Sequence, residues 1–399
     1  MISFKAALQK VLNNTLNYGN EYVSLMQSTD RVLAETIFAD RDFPPFDRAT
    51  KDGIAISFDG FLSPNQIFKI SGIAQAGSPQ QALQNNAECI EVMTGAMVPE
   101  NADTVVMYEH ISLENGAFSL LKPITKGQNI HYKGSDVAKS EELLMPGLQI
   151  TAAEIGVLAS VGKSEVLVKK LPKIAVIATG NELVEIDKKP LPYQIRKSNS
   201  FTLQGLLAKE GISADLYHMV DEPDILKEKL EVLLKNYDVL LLSGGVSKGK
   251  FDFLPETFDA LGVEKIFHKV QQRPGKPFWF GKLKSQNTTI FSFPGNPVST
   301  FVNYHVYFKP WLNKTLGLTT PEFAVFLNEP ITNKTDLTLF IGVNVSINNG
   351  ELFAKTLTTT GSGDLIGLSK VDGFIQVSPK QVLDQGKKLV PLIATRRIM

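Results

Sequence analysis

The chain has 399 residues, enough for roughly two to four domains, and its 41 Lys and Arg residues balance 41 Asp and Glu residues. The resulting formal net charge of zero argues against nucleic acid and anionic membranes as partners, and no apolar run approaches the ~18 residues that cross a bilayer. A single cysteine, Cys89, excludes an internal disulfide framework and a cysteine-based zinc cluster, and it favours a cytoplasmic location.

The beginning of the chain has the pattern of a scaffold. Apolar residues recur at helical spacing behind Ser3, which can cap the helix. A later helix is predicted over residues 151–160, with Thr151 as its cap. Together they predict a discontinuous helical and extended scaffold made of residues 1–45 and 138–172.

Between the two parts of the scaffold, residues 46–137 form short segments rich in Ile, Val, Phe and Thr, which predicts an inserted β-rich module. Asp52, Thr94 and Asp136 each stand at a turn or a strand break in this module, without an evident local partner. On residue chemistry alone, an Asp-Gly pair is most often a turn former and a Thr-Gly break is most often a bulge.

From residue 173 the alternation of strands and helices predicts an α/β domain over 173–315, followed by short β segments that predict a small β-barrel over 316–399. The first helix of the α/β domain is expected to be capped near Ser200. Polar or Gly/Pro segments each follow a predicted strand, at 179–182, 220–221, 243–249, 271–277 and 294–297. Because the carboxyl ends of strands share one edge of an open α/β sheet, these segments are expected to converge there.

The segment 243–249 has the composition of a phosphate loop. Gly244 and Gly245 permit positive φ and close backbone approach, and consecutive N–H groups can then form a concavity for an anion. The spacing is near that of a Walker A loop, but Phe251 stands where a magnesium-binding Ser or Thr is required, so we reject that match.

Glu182, Asp221 and Asp252 would share this edge with the cations Arg273 and Lys276. Carboxylates alone repel a phosphate, but they become useful when Mg²⁺ lies between them and the substrate oxygens. The two cations can neutralise charge on a leaving phosphate. Taken singly, Asp221 is better explained as a helix cap, Glu182 as a turn brace and Lys276 as a solvated side chain. Only their joint occurrence favours a site.

Short motifs that carry this chemistry follow one another along nearly the whole chain. They are Phe46-Asp47 with Asp52-Gly53, Met93-Thr94-Gly95-Ala96 with Val98-Pro99, Gly134-Ser135-Asp136, Thr179-Gly180-Asn181-Glu182-Leu183, Ser243-Gly244-Gly245-Val246-Ser247 with Gly249 and Asp252, Pro274-Gly275-Lys276-Pro277, and Pro294-Gly295-Asn296-Pro297. In this order they resemble the molybdopterin molybdotransferase family, the molybdenum insertases of molybdenum cofactor synthesis, which are similar to the E domain of gephyrin.

The resemblance implies that adenylyl-molybdopterin and molybdate are substrates, that a Mg²⁺-dependent step cleaves the phosphate link and releases AMP, and that molybdate enters the pterin dithiolene. It also implies a Rossmann-like α/β pterin-binding domain within a multidomain α/β and β chain, and a homodimer whose sites are shared between subunits. A molybdopterin adenylyltransferase is a further expected protein partner.

The resemblance also implies roles for individual residues. Catalytic roles fall to Asp52, Thr94, Asp136, Glu182, Asp221 and Asp252, and the last three are also the expected metal ligands. Binding of the pterin substrate and molybdate falls to Thr179, Gly180, Ser243, Gly244, Gly245, Ser247, Gly249, Arg273, Gly275, Lys276, Pro294, Gly295, Asn296, Pro297 and Ser362.

The chain departs from the family pattern at three places. Residues 48–51 replace the Asn-Ser-Ala-Met of the family, and His131 replaces an Arg. Ile341 stands where the family has a basic residue near molybdate. Two other interpretations stay open. The first is a molybdopterin adenylyltransferase, a class that shares the α/β module but lacks the flanking β modules. The second is a non-catalytic scaffold of the gephyrin kind, which would tolerate loss of Asp252 or Glu182, whereas both residues are present here.

Overall fold

The computed structural model describes residues 1–61, 63, 66–246, 252–320, 322–386 and 388–396. Its helices are α1 (Phe4–Leu12), α2 (Ala152–Ser160), α3 (Ser198–Ala208), α4 (Pro223–Asn236), α5 (Leu254–Ala260), α6 (Pro297–Asn303), α7 (Lys309–Leu316) and α8 (Leu365–Leu368). The predicted caps are confirmed for α1 and α2, where Ser3 and Thr151 side chains accept backbone N–H groups. Helix α3 begins at Ser198, just before the cap predicted at Ser200.

The central sheet of the α/β region is mixed. In spatial order its strands are Asp215–Met219, Ile174–Thr179, Val239–Ser243, Thr288–Phe293, Trp279–Leu283 and Glu264–His268. The first four strands are parallel, and the last two are antiparallel to their neighbours. Every residue of Ile174–Thr179, Val239–Ser243 and Thr288–Phe293 is buried, as expected for parallel strands covered on both faces.

The segment 271–277 does not continue a parallel strand of this sheet, so the prediction that it follows such a strand is wrong. Lys269 has a φ of 71°, which ends the antiparallel edge strand Glu264–His268. The next strand, Val270–Arg273, leaves the sheet and pairs in parallel with Ile2–Ser3 on one side and with Thr338–Asn348 on the other.

The predicted small C-terminal barrel is confirmed, because its strands pair in a closed ring. Around the ring the strands are Thr338–Asn348, Glu351–Thr356, Phe323–Leu327, Val390–Ala394 and Gly373–Val377, which pairs again with the first. The side chains of Val325, Val343 and Ile375 are fully buried inside it. Closure leaves no unpaired edge in the ring.

The remaining strands form a β-rich sheet and short ribbons. The sheet runs in the order Thr104–Met107, Gly53–Ile56, Glu88–Val92, Ile67–Ala74, Ala117–Leu120 and Ile111–Glu114. The ribbons pair Asn20–Ser24 with Glu165–Lys169, Ile37–Phe38 with Glu142–Leu144, Arg48–Ala49 with Ile130–His131, Leu183–Val184 with Ile195–Arg196, and Ile331–Thr332 with Val382–Leu383. Over the ranges that the structure describes, no helix has the length and apolar character to cross a membrane.

Helix α1 packs against the α/β region and the barrel, although the sequence grouped it with the scaffold. Its buried residues belong to the same apolar core as the helices α3, α6 and α7. The ring of Phe4 lies 5.6 Å from that of Tyr307 and 5.0 Å from that of Phe340, which is a barrel residue. This shared core fixes the barrel against the α/β sheet and defines the space between them.

Candidate active site

A cleft of about 900 Å³ lies between the polar loops of the α/β sheet and the C-terminal barrel. The site residues predicted from the sequence that line it are Thr179, Gly180, Glu182, Asp221, Ser243, Gly244, Gly245, Asp252, Arg273, Gly275, Lys276, Pro294, Gly295, Asn296, Pro297 and Ser362. Ser247 and Gly249 lie outside the described residues. The predicted polar segments therefore meet at one place, including 271–277, which reaches it from another strand.

The glycines of the central loop are required by close backbone packing. Gly244 and Gly245 have φ values of 102° and 67°. A Cβ atom on Gly244 would lie 2.7 Å from both the carbonyl and hydroxyl oxygens of Thr179. The N–H of Gly244 donates to the carbonyl of Phe293 at 3.0 Å, and a Cβ on Gly295 would lie 3.6 Å from the Gly244 Cα. The ends of neighbouring parallel strands are thus held in contact beneath the cleft.

The loop after Ile174–Thr179 is tied to the edge strand beside it. Gly180 has a φ of 141°, and its carbonyl lies 2.9 Å from His218 Nε2. The backbone N–H of Asp221 donates to Asn181 Oδ1 at 3.1 Å. These bonds place the carboxylates of Glu182 and Asp221 on the same rim of the cleft.

The carboxylates on this rim repel one another. Burial raises the pKa of Asp221, and the negative charges of Glu182 and Asp252 raise it further. Across the ranges that the structure describes, no group of three or more His, Cys, Asp or Glu side chains is arranged to hold a metal ion by itself. The negative charge of this cluster attracts a cation.

Arg273 and Lys276 provide positive charge in the lining of the same cleft. Both are exposed residues in the lining of the cleft, and neither forms an ion pair with a carboxylate among the described residues. Gly275 lies between them with a φ of 88°. Unpaired guanidinium and ammonium groups in a cleft are suited to bind an anion such as a phosphate or an oxyanion.

The sequence analysis missed the segment before helix α3. Arg196, Lys197 and Asn199 line the cleft, and the Asn199 side-chain amide donates to the carbonyl of Gly295 at 2.6 Å. Lys197 is ion-paired with Glu185. The available signal was a basic pair followed by Ser-Asn-Ser at the start of a helix, which we interpreted only as a cap.

The barrel closes the cleft with one polar loop and an apolar wall. The Asn296 side-chain amide donates to Ser362 Oγ at 2.8 Å, and the N–H of Val298 donates to the carbonyl of Ser362 at 3.1 Å. Ile341 lines the cleft and is paired with Ile375 in the barrel. Apolar neighbours in the same wall are Leu339, Phe340, Leu357, Leu368, Val371 and Phe374.

The predicted residues of the N-terminal β module are not among those that line the cleft, and the expectation that they lack local partners is wrong. Thr94 donates both its N–H and its hydroxyl to Asp52 Oδ1, at 2.6 and 2.7 Å, and these bonds lower the pKa of Asp52. Asp136 Oδ1 lies 2.7 Å from His131 Nε2, while Arg48 contacts the other ring nitrogen at 3.0 Å.

Comparison with known proteins links this architecture to molybdopterin chemistry. Residues 2–162 match the family model of the MoeA N-terminal region (domain I and II), and residues 175–314 match a probable molybdopterin binding domain. The chain is 36% identical over 398 residues to a molybdopterin molybdenumtransferase from Synechocystis sp., covering 99% of this chain and 100% of that protein. It is 34% identical over 389 residues to the enzyme of that name from Staphylococcus aureus, covering 94% and 91%.

A solved structure shows the same arrangement of the whole chain. The crystal structure of a molybdopterin biosynthesis MoeA protein from Pyrococcus horikoshii superposes with a TM-score of 0.84 at 28% sequence identity. The match covers 99% of this chain and 100% of the other. The similarity therefore extends through the α/β region, the barrel and the N-terminal β module together.

Proposed function

Because this chain belongs to the molybdopterin molybdenumtransferase family, we propose that the cleft is the place where it inserts molybdenum into molybdopterin. The chain is a transferase of molybdenum cofactor biosynthesis. The observation that carries the assignment to this cleft is the meeting of a glycine loop, a carboxylate rim and two cations free of carboxylate partners among the described residues.

We propose adenylyl-molybdopterin as the substrate, with its phosphate link held at the glycine loop. Gly244 and Gly245 line the cleft with positive φ values, a backbone conformation suited to presenting main-chain N–H groups to a phosphate. Arg273 and Lys276 would bind the phosphate oxygens and stabilise the charge that develops on the AMP leaving group.

Glu182, Asp221 and Asp252 would hold Mg²⁺ in this scheme. The donors fit that ion because all are carboxylate oxygens, and because the mutual repulsion that raises the pKa of Asp221 is relieved by a cation. Mg²⁺ characteristically completes its coordination with water and substrate phosphate. When bound, the ion would supply additional neutralisation of the phosphate charge.

Molybdate would be held by Ser362 together with Arg273 and Lys276. These residues line one cleft, and Ser362 is fixed there by its hydrogen bond with Asn296. Ile341 contributes no charge to this part of the wall. An oxyanion site made of two cations and a hydroxyl is therefore the proposed route for molybdate.

Several finer assignments form part of the same proposal. The α/β domain would be Rossmann-like. The domains would comprise residues 1–45 with 138–172, residues 46–137, residues 173–315 and residues 316–399. The protein would act in the cytoplasm as a homodimer, with a molybdopterin adenylyltransferase as the supplier of its substrate. Asp52, Thr94 and Asp136 are absent from the lining of the cleft of their own chain, so their catalytic roles would require a second subunit.

A direct assay tests the function. Purified protein given adenylyl-molybdopterin, Mg²⁺ and molybdate should release AMP and form molybdenum cofactor, and Asp252→Asn should lose both products. Synthesis of adenylyl-molybdopterin from ATP and molybdopterin would instead identify an adenylyltransferase. Absence of both reactions in the folded wild-type protein would favour a non-catalytic scaffold.

A further inference from the structure

A buried polar network lies directly beneath the loop that carries the two cations. Gln272, Asn303 and Tyr307 are each 0% exposed to solvent. The Gln272 side-chain amide donates to the carbonyl of Pro274 at 3.0 Å and to Asn303 Oδ1 at 2.9 Å. Asn303 donates in turn to the carbonyl of Gly275 at 3.3 Å, and the Tyr307 hydroxyl donates to Gln272 Oε1.

The loop packs tightly on this network. A Cβ atom on Gly275 would lie 2.8 Å from Gln272 Nε2 and even closer to Asn303 Oδ1. The backbone of the loop is therefore in direct contact with both amide side chains. Any movement of Gly275 towards the core would collide with them, and movement away would break the bonds from Gln272 and Asn303.

The network is itself fixed from several directions. Asn303 ends helix α6, and Tyr307 lies in the π-helical turn Tyr304–Phe308. The ring of Tyr307 packs 4.7 Å from that of Phe278. Gln272 lies in the strand paired with the barrel, where its register partner is Thr338. The network thus connects the loop to the helix layer and to the barrel strand at once.

Burial makes these bonds consequential. A polar group removed from water without a hydrogen bond is costly, and removing one partner leaves the other unsatisfied. In this network the Tyr307 hydroxyl and the Gln272 and Asn303 amides have hydrogen-bond partners, and two of the accepting atoms are carbonyls of the loop. The stabilisation that these hydrogen bonds contribute therefore depends on the backbone of residues 274–275 keeping this one conformation.

We propose that Gln272, Asn303 and Tyr307 are positioning residues that hold Arg273 and Lys276 at the oxyanion site. The inference rests on the proposed function, because that function assigns the two cations to molybdate and to the substrate phosphate. Asn303 and Tyr307 do not line the cleft, and Gln272 reaches its lining only from a buried position. All three act by fixing the backbone from which both cations project. Weakening the network should therefore impair the use of molybdate, and with it the release of AMP, because the same two cations serve both.

Tyr307→Phe is the least disruptive test, because it removes only the hydroxyl that donates to Gln272. Its matched control is Tyr304→Phe, one turn earlier, where the ring is 1% exposed and the hydroxyl has no hydrogen-bond partner among the described residues. Tyr307→Phe should raise the KM for molybdate by about fivefold, the factor that corresponds to the ~1 kcal/mol of a typical hydrogen bond. Tyr304→Phe should leave that KM unchanged.

The KM for molybdate distinguishes a positioning role from a simple loss of folded protein. A smaller fraction of folded protein lowers the apparent kcat but leaves the KM unchanged. Hydrogen–deuterium exchange of residues 270–280, which needs no turnover, should be faster in Tyr307→Phe and in Gln272→Met than in wild type. A wild type without molybdate-dependent turnover would overturn the proposed function, and exchange would still report on the network. Unchanged KM and unchanged exchange in both variants would overturn the positioning role.

Discussion

Ile341 occupies a place in the cleft wall where the family resemblance implies a basic side chain. It is half-buried, it lines the cleft, and its neighbours in the wall are apolar. Among the described residues of the lining, positive charge then comes from Arg273 and Lys276, from Arg196, and from Lys197, which is ion-paired with Glu185.

Replacing Ile341 by Arg should therefore improve molybdate use. A guanidinium group here can donate charge-assisted hydrogen bonds, so we expect the apparent KM for molybdate to fall about threefold to tenfold. The control is Ile347→Arg on the same strand, where the side chain is 53% exposed and does not line the cleft. An Ile341→Arg enzyme with equal or weaker molybdate dependence would show that the oxyanion binds elsewhere.

Glu182 gives a second test at the scale of the residue. Glu182→Gln keeps the shape of an exposed side chain but removes one charge from the rim that surrounds Asp221. Release of AMP in Mg²⁺ should drop by about two orders of magnitude, while the melting temperature stays near that of wild type because the site is exposed.

Asp187→Asn is the matched control, since its carboxylate is 70% exposed and lies outside the cleft lining. The Mg²⁺ dependence of AMP release should be the same for this control and the wild type. Glu182→Gln should also bind Mn²⁺ more weakly when that ion is titrated as a paramagnetic probe. Full AMP release by Glu182→Gln would remove this carboxylate from the proposed metal site.

At the scale of the element, the turn after Val239–Ser243 depends on residues without a Cβ. Gly244→Ala would force a strained φ and place a methyl group 2.7 Å from oxygens of Thr179. We expect about 1–3 kcal/mol of destabilisation and loss of substrate binding, because the loop must move from the strand ends. Thermal melting and a binding titration with molybdopterin measure the two effects.

Gly205→Ala in α3 is the corresponding control. Gly205 is exposed, has no positive φ, and a Cβ there would meet no atom within 4 Å. This substitution should stabilise the protein by about 0.5–1 kcal/mol through the higher helix propensity of Ala. If Gly244→Ala behaved like Gly205→Ala, the conformation described for the loop would be wrong.

The limits of sequence-based prediction are visible in these elements. Buried parallel strands such as Ile174–Thr179 have continuous apolar runs, so the strands and the polar turns after them were predictable. The sequence did not predict that Val270–Arg273 leaves the sheet, because this depends on the positive φ of Lys269 and on strands that are far away in the chain. The Asp52–Thr94 bond is likewise non-local, so Asp52 looked unpartnered in sequence.

At the scale of the whole molecule, a site shared between subunits makes a complementation prediction. Thr94→Ala damages the β module, and Glu182→Ala damages the rim of the cleft. In a mixed dimer, one site would combine both defects and the other would be wholly wild type. Random exchange of equal amounts of the two inactive proteins should restore about a quarter of wild-type activity.

The dimers in this experiment need to be verified, for example by two different affinity tags. Each variant incubated alone under the same exchange conditions is the control and should stay inactive. Verified mixed dimers as inactive as their parents would mean that the β module serves its own subunit or has no catalytic role.

The pairing of Ile2–Ser3 with Val270–Arg273 has a consequence for synthesis on the ribosome. The first strand and α1 emerge early, but the register partner of Ile2 is made roughly 270 residues later. At ~5–20 residues per second, this delay is on the order of 15–50 s. During that time the face of α1 formed by Phe4, Ala7 and Val11 lacks its main partners, which are Val270–Arg273, Tyr304–Phe308 and α7. The nascent chain therefore carries an unsatisfied apolar surface on α1 until these later elements have been translated.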